Sequence, residues 1–464
     1  MSDRLLVRGG TVVTVEGRTQ ADVLIEAGRI AAVASYLQPL PGERVVEAQG
    51  CYVMPGLVDA HVHFALDTGI YRTDDDFGIG TRSAACGGVT TVVDFATQLA
   101  GQTPAEAVAL RQAEADPLVH IDYALHCMVT DFPLGAEPSI ADLVAAGVPS
   151  VKVYTTYRPN YFCDDARLLR IMRASAEAGA LVMVHAENDP LVSEAGQALI
   201  QAGRTSLAYH GAARPPLAEM EAVHRCLFLA EQAGASLFVV HCSTPGAARL
   251  IQAARSVGQP AIAETCPQYL LFADDVYAGP RAEWYVMQPP IRPDELRREL
   301  VELVEMGWVD SIGTDHCDYA LSQKRATGQF PTTAGGIPGV ETMLPVLYTY
   351  LVLPGRLSLE RLVQLTATNP ARVYGLYPRK GSLAVGADGD VVVYDPRGRS
   401  TIEARSMHTV GGYTPYDGFE VEGRVKATIS RGRVVYLDGE FLGTPGHGRF
   451  VAGRPFDPTV IEYL

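Results

Sequence analysis

His61 and His63 stand two residues apart at the end of the apolar stretch Met54-Pro55-Gly56-Leu57-Val58-Asp59-Ala60. On an extended strand, residues i and i+2 point to one face. Both imidazoles can therefore reach one point in space, and histidine is the commonest protein ligand for zinc and related ions. The H-x-H pattern by itself is ambiguous. Four further residues decide its reading. Lys152 lies within Ser150-Val151-Lys152-Val153-Tyr154, His185 closes Leu181-Val182-Met183-Val184, His241 closes Phe238-Val239-Val240, and Asp315 closes Ser311-Ile312-Gly313-Thr314. One histidine at a strand end is ordinarily structural. Four, matched by an aspartate and a lysine at equivalent places, read as a metal site.

Lys152 is the odd member of that set. An ammonium among metal-bound histidines would be repelled by the ions and costly to bury. Two resolutions exist: a neutral amine of depressed pKa, or a carbamate formed with carbon dioxide. A carbamate is anionic, and its two oxygens can bridge two metals. The charge argument favours it over a side chain that snorkels out of the strand end.

The elements that must position these residues follow a repeating grammar. Strand candidates fall at 57–63, 89–95, 120–129, 149–155, 180–186, 236–241, 260–265 and 310–315. Helical segments rich in Ala, Glu and Leu lie between them. Ala166 to Gly179 and Leu217 to Gly234 each end on a glycine, as a helix C-terminus favours. Eight strand–helix units predict a (β/α)₈ barrel over residues 54–382, whose functional groups sit at the C-terminal strand ends. Residues 1–53 and 383–442 carry short strands broken by glycines and no helical period. They predict a small β-sandwich built from both chain termini. Residues 443–464, rich in Gly, Pro and Arg, form a C-terminal arm suited to contact with a neighbouring subunit.

Composition narrows the class. The chain of 464 residues is 47% hydrophobic and 20% charged, with a formal net charge of -15. That charge argues against nucleic-acid or anionic-membrane partners. No apolar run is long enough to span a bilayer. The start, Met1-Ser2-Asp3-Arg4-Leu5, lacks the basic-then-apolar pattern of a secretory leader. Eight cysteines without paired spacing suit free thiols in a reducing cytoplasm.

Several motifs carry a family resemblance. They are Gly56-Leu57-Val58-Asp59-Ala60-His61-Val62-His63, Val151-Lys152-Val153-Tyr154-Thr155-Thr156-Tyr157, Val184-His185-Ala186-Glu187-Asn188, Glu264-Thr265-Cys266-Pro267-Gln268-Tyr269-Leu270, Met287-Gln288-Pro289-Pro290 and Gly313-Thr314-Asp315-His316-Cys317. Together they resemble the amidohydrolase superfamily, and within it the dihydropyrimidinase/hydantoinase family of cyclic amidases. The resemblance spans nearly the whole chain. It implies two divalent metal ions, zinc first, with manganese or cobalt as alternatives. His61, His63 and Asp315 would hold the more buried ion, His185 and His241 the second, and carbamylated Lys152 would bridge them with a hydroxide. Asp315 would act as general base and then acid. Tyr157 would donate to the oxyanion. The backbone at Gln288 and Gly335 would hold the substrate ring, and Leu66, Tyr154 and Tyr161 would line the pocket for its exocyclic group. A cyclic ureide would open to an N-carbamoyl amino acid. A homotetramer or dimer is implied as well.

The chain departs from the family at two of these places. Relatives typically have Ser at the position of Gln288 and Asn at that of Gly335. An allantoinase, or an amidase for another cyclic ureide, is the alternative reading. A non-catalytic scaffold of the same fold would be expected to lack the ligands, and all six are present here.

Overall fold

The computed structural model describes residues 4–464. The opening Met1-Ser2-Asp3, on which the expectation of no leader partly rests, lies outside them. In chain order the strands are β1 (Arg4–Thr14), β2 (Gly17–Glu26), β3 (Arg29–Ala34), β4 (Arg44–Glu47) and β5 (Tyr52–Pro55). Then come β6 (Leu57–Val62), β7 (Val89–Thr97), β8 (Asp122–Met128), β9 (Ser150–Tyr154), β10 (Leu181–His185), β11 (Leu237–Val239), β12 (Ala261–Thr265) and β13 (Ser311–Ile312). The last are β14 (Val391–Thr401), β15 (Glu420–Ser430), β16 (Arg433–Leu437) and β17 (Glu440–Phe441).

β6 to β13 fall on the eight stretches expected from sequence and form one parallel eight-stranded sheet in sequential order. A parallel bridge from Val62 to His316 and a 2.7 Å bond from the His63 N–H to the His316 carbonyl bring its first and last strands together. The fold is a TIM-type (β/α)₈ barrel. The helices expected on its outside are present. Asp165–Ala178 and Pro216–Ala233 end at Gly179 and Gly234 with φ of 70° and 65°, the left-handed cap that glycine adopts without strain.

Strand alternation sorts the barrel residues into two layers. Val58, Ala60, Val93, Phe95, Leu181, Met183, Phe238, Val240 and Ile262 belong to one buried cluster. The residues between them, such as Val92, Val151, Val153, Val182, Val184, Val239 and Ala261, belong to the cluster that includes the surrounding helices. Lys152 and His185 continue the inward set by simple alternation. β13 is shorter than its predicted stretch because Asp59 replaces ladder bonds there. The Asp59 carboxylate accepts from the Thr314 N–H at 3.0 Å and the Thr314 hydroxyl at 2.5 Å.

The small β-sandwich is one nine-stranded mixed sheet drawn from both ends of the chain, β17-β16-β15-β14-β5-β1-β2-β3, with β4 alongside β1. Its central strands are apolar on both faces. Val12, Val53, Val391 and Val393 enter the sheet's own core, while Val13, Met54, Val392 and Tyr394 join the core of the barrel and its helices. The C-terminal arm lies against this chain's own barrel. The Tyr123 N–H bonds the Arg449 carbonyl at 3.1 Å, the Val451 N–H bonds the Tyr123 carbonyl at 2.7 Å, and the Phe456 N–H bonds the Gly179 carbonyl at 2.8 Å. These partners begin or precede barrel strands, so the arm covers the barrel floor. No helix among the described residues is long and apolar enough to cross a membrane.

A buried ion cluster joins floor and sheet. The Lys380 ammonium donates to Asp122 and Asp390, each at 2.6 Å, and stands 3.1 Å from Asp388. Burial disfavours its charge, but the three carboxylates outweigh that and raise its pKa. Lys380→Met would strand the carboxylates. It is expected to cost about 3–5 kcal/mol of unfolding free energy, read by chemical denaturation.

Candidate active site

His61, His63, Leu66, Lys152, Tyr154, Tyr157, Tyr161, His185, His241, Gln288, Asp315 and Gly335 all line one cavity of about 570 Å³ at the C-terminal mouth of the barrel. Every residue singled out in the sequence is thus brought to one place. Alternation alone does not do this. Val58 and Ala60 face inward, so an unbroken strand would send Val62 inward after them. The pairing with β7 shifts register between Asp59 and Val62, and this irregularity turns His61 and His63 toward the cavity. His241 follows the inward Val240 and owes its direction to a φ of 38°. Asp315 and Tyr157 have φ of 52° and 73°. Such values are uncommon outside glycine and persist where surrounding bonds over-determine the backbone. At Asp315 those bonds are the Thr314–Asp59 pair on one side and the His316–His63 pair on the other. Gly313 makes the approach feasible, since an added Cβ would stand 2.9 Å from the His61 Cβ and from Glu264 Oε2.

The imidazoles are oriented from behind. His61 Nδ1 lies 2.7 Å from Glu264 Oε1 and its Nε2 faces Asp315 Oδ1 at 3.2 Å; in the tautomer with the proton on Nδ1, the Nε2 lone pair is free for an ion. His63 Nε2 lies 3.3 Å from the same oxygen. His185 Nε2 donates to Glu187 Oε2 at 2.8 Å, and its Nδ1 faces His241 Nε2 at 3.0 Å. Burial lowers the pKa of His61, His185 and His241, so these rings are neutral. His61 Nε2, His63 Nδ1, His241 Nδ1 and Glu264 Oε2 are buried without a hydrogen-bond partner.

This donor set fits divalent metal ions. Nitrogen and oxygen atoms at 3.0–3.3 Å are drawn together by a shared proton or by a metal ion between them, and four buried ligand-type atoms here have no hydrogen-bond partner. Nitrogen and oxygen ligands around one tetrahedral ion at ~2.0–2.1 Å stand about 3.3 Å apart. Ligand atoms of His61, His241 and Asp315 all lie within 4.8 Å of one another. Lys152 is 1% exposed, with Nζ 5.3 Å from the Phe95 ring and 5.2 Å from the Tyr154 ring. Burial pushes its ammonium down to about 8. At neutral pH a fraction of the amine is therefore free, which is the form that captures carbon dioxide.

The supporting groups were harder to read from sequence. Glu264 near the end of β12 obeys the strand-end rule and could have been found by it. Glu187 lies two residues past His185. Arg214, which pairs with Glu187 and sits 5.2 Å from the Tyr157 ring, carries no local signature. His316 is buried with Nε2 3.3 Å from Asp75 and 3.7 Å from Asp318. Burial lowers its pKa, but the neighbouring carboxylates of Asp318 and Asp75 outweigh this and raise it. Its Nδ1 accepts from the Gly339 N–H at 3.2 Å and the Val340 N–H at 3.4 Å while Nε2 faces the two carboxylates, so the ring ties the turn after Asp315 to both sides.

Lys324 is another such support. Its buried Nζ donates to the carbonyls of Val286 at 2.9 Å, Ala334 at 3.1 Å and Gly336 at 2.6 Å. It therefore ties together the two loops that carry Gln288 and Gly335. Lys324→Met leaves those acceptors short of donors. It is expected to raise KM about tenfold or more while kcat changes less, read by initial rates beside a thermal melt.

Comparison with known proteins agrees with this geometry. Residues 52–435 match the Amidohydrolase family. A D-phenylhydantoinase of Escherichia coli is 39% identical over 467 residues, covering 99% of this chain and all of the relative. The crystal structure of a dihydropyrimidinase from Brevibacillus agri superposes with a TM-score of 0.95 at 35% identity, covering 98% of this chain and 99% of that one. An L-hydantoinase from Arthrobacter aurescens superposes with a TM-score of 0.90 at 33% identity, covering 97% and 100%. With the barrel, the donor set and full-length relatives in agreement, the chain belongs to the amidohydrolase family, in its dihydropyrimidinase/hydantoinase branch.

Proposed function

We propose that this protein is a metal-dependent hydrolase that opens the amide bond of cyclic ureides, hydantoins or dihydropyrimidines, to N-carbamoyl amino acids. The observation that carries the reading is that four histidines, Lys152 and Asp315 line one cavity, with ligand atoms of His61, His241 and Asp315 within 4.8 Å of one another, in a chain whose full-length relatives are named for those rings. His61, His63 and Asp315 would hold one divalent ion, and His185 and His241 a second, with a carbamate on Lys152 between them. Zinc suits these donors best, and manganese or cobalt suit them too. Bound there, such ions supply an activated water and polarise the scissile carbonyl.

The chain's own groups carry the rest. Burial pushes the Asp315 carboxyl up, but His61, His63 and Lys152 outweigh it and hold it below its ordinary value. It is therefore ionised and able to take a proton from the attacking water and hand it to the departing ring nitrogen. Burial raises the Tyr157 hydroxyl pKa, so the phenol stays a donor for the developing oxyanion. The backbone at Gln288 and Gly335 would hold the ring. Leu66, Tyr154 and Tyr161 would receive its substituent, since they form an apolar and aromatic side of the same cavity. All eight cysteines are free and buried, which supports a reducing cytoplasm. A homotetramer or dimer is part of the proposal and is read by light scattering.

The test is ring opening of hydantoin, 5-phenylhydantoin, dihydrouracil and allantoin on protein of measured metal content. Turnover of the first three is expected, at about two ions per chain, with loss on chelation and recovery on adding metal back. Turnover of allantoin alone would move the substrate to the alternative ureide. No turnover of any ring at full occupancy would sink the proposal.

A further inference from the structure

Gln288 and Gly335 lie on separate loops, and both face the cavity that holds Asp315 and Tyr157. The Gln288 side chain rests directly on Gly335. A Cβ added at Gly335 would fall inside the van der Waals shells of Gln288 Oε1, Nε2 and Cδ. The φ of Gly335 lies outside the left-handed region, so its backbone does not demand glycine. The demand is spatial: the carboxamide of Gln288 occupies the volume that a side chain at 335 would need.

The two loops are fixed relative to each other. The Gly336 N–H bonds the Val286 carbonyl at 3.0 Å, and Lys324 clamps both from behind. Neighbouring carbonyls on the first loop are already engaged, Met287 by His210 at 2.8 Å and Pro289 by the Tyr269 hydroxyl at 2.7 Å. No hydrogen bond described in the protein takes up the Gln288 amide itself. The backbone that carries this half-buried primary amide is thus fixed, the amide rests against Gly335, and its donor and its acceptor are both unspent.

We infer that Gln288 and Gly335 act as one specificity unit, in which glycine clears the space and the Gln288 carboxamide fills it to read the substrate's N–H/C=O edge. A carboxamide presents one acceptor and one donor side by side. The edge of a cyclic ureide away from the scissile bond presents the complementary pair, an N–H next to a C=O. Two parallel hydrogen bonds match them. The inference rests on the cyclic-ureide reading above.

The experiment is a mutant cycle on hydantoin and dihydrouracil, with kcat and KM measured separately beside a thermal melt. Q288S is expected to raise KM about tenfold on both rings with kcat within roughly threefold, as lost ground-state hydrogen bonds do. Q288E keeps the size and the acceptor but removes the donor, and is expected to act in the same direction. G335N places two side chains in one space and is expected to lose about a hundredfold in kcat/KM, of which adding Q288S recovers at least about tenfold. Unchanged KM in both Gln288 variants would overturn the inference. So would a double variant no better than G335N. If G335N does not fold, the two Gln288 variants decide alone. Wild-type protein that opens neither ring would overturn the cyclic-ureide reading first, whereas an active enzyme indifferent to Gln288 would overturn only this inference.

Discussion

Asp315→Ala is expected to leave a folded protein whose turnover falls by roughly a thousandfold or more, since on the proposed mechanism the change would remove a general base and acid together with an ion ligand. The reasoning is geometric. One oxygen of Asp315 stands 3.2 Å from His61 Nε2 and 3.3 Å from His63 Nε2, at the point where the donor set converges. Its backbone is strained, with φ of 52°, and is held by bonds from Thr314 and His316 rather than by the carboxylate. Truncating the side chain should therefore spare the turn. Asp315→Asn separates the roles. It keeps the size and one oxygen but removes the charge and the proton acceptor. It should bind more metal than the alanine variant and still fail to open the ring. The check is kcat at measured metal occupancy, with the melting temperature beside it. Turnover retained within tenfold in Asp315→Asn would refute the proton-transfer role.

The barrel was legible because its strands are buried on both faces and read as apolar runs, and because glycines at 179 and 234 mark where helices stop. The site was legible to the level of strand ends. Lys152 and His185 need nothing beyond alternation. His61 and His241 needed two local breaks, a register shift in β6 and a positive φ after β11, and neither has a clear sequence signal. Both residues reach the cavity through conformations that tertiary bonds impose. The same distinction explains what was missed. Glu264 sits where the strand-end rule points. Arg214 lies just outside a short helical turn and Lys324 within one, so neither periodicity nor spacing announces them. Their roles are fixed by partners far along the chain, Glu187 for Arg214 and the Val286, Ala334 and Gly336 carbonyls for Lys324.

Lys152→Ala is expected to lose activity by roughly a hundredfold or more, consistent with removal of an ion-bridging group, and to regain part of it with short-chain carboxylic acids. Lys152 is buried in a strand among neutral imidazoles, and among the described residues its Nζ forms no hydrogen bond or ion pair. An ammonium left so would be a stability liability with no return. Its pKa, pushed down to about 8 by burial, keeps the amine reactive near neutrality. A carbamate would turn that liability into an anion able to serve as a ligand. Acetate or propionate can enter the space left by alanine and offer two oxygens in the same region, whereas a purely structural lysine would not be replaced by a carboxylate. Removing carbon dioxide while the wild-type apoprotein is reloaded with metal should slow recovery, and bicarbonate should restore it. The readouts are metal occupancy, initial rate against added acid, and the mass of the intact protein under native conditions. Undiminished metal loading and rate in Lys152→Ala would remove the bridging carbamate from the mechanism and leave Asp315 and the four histidines to hold the ions alone.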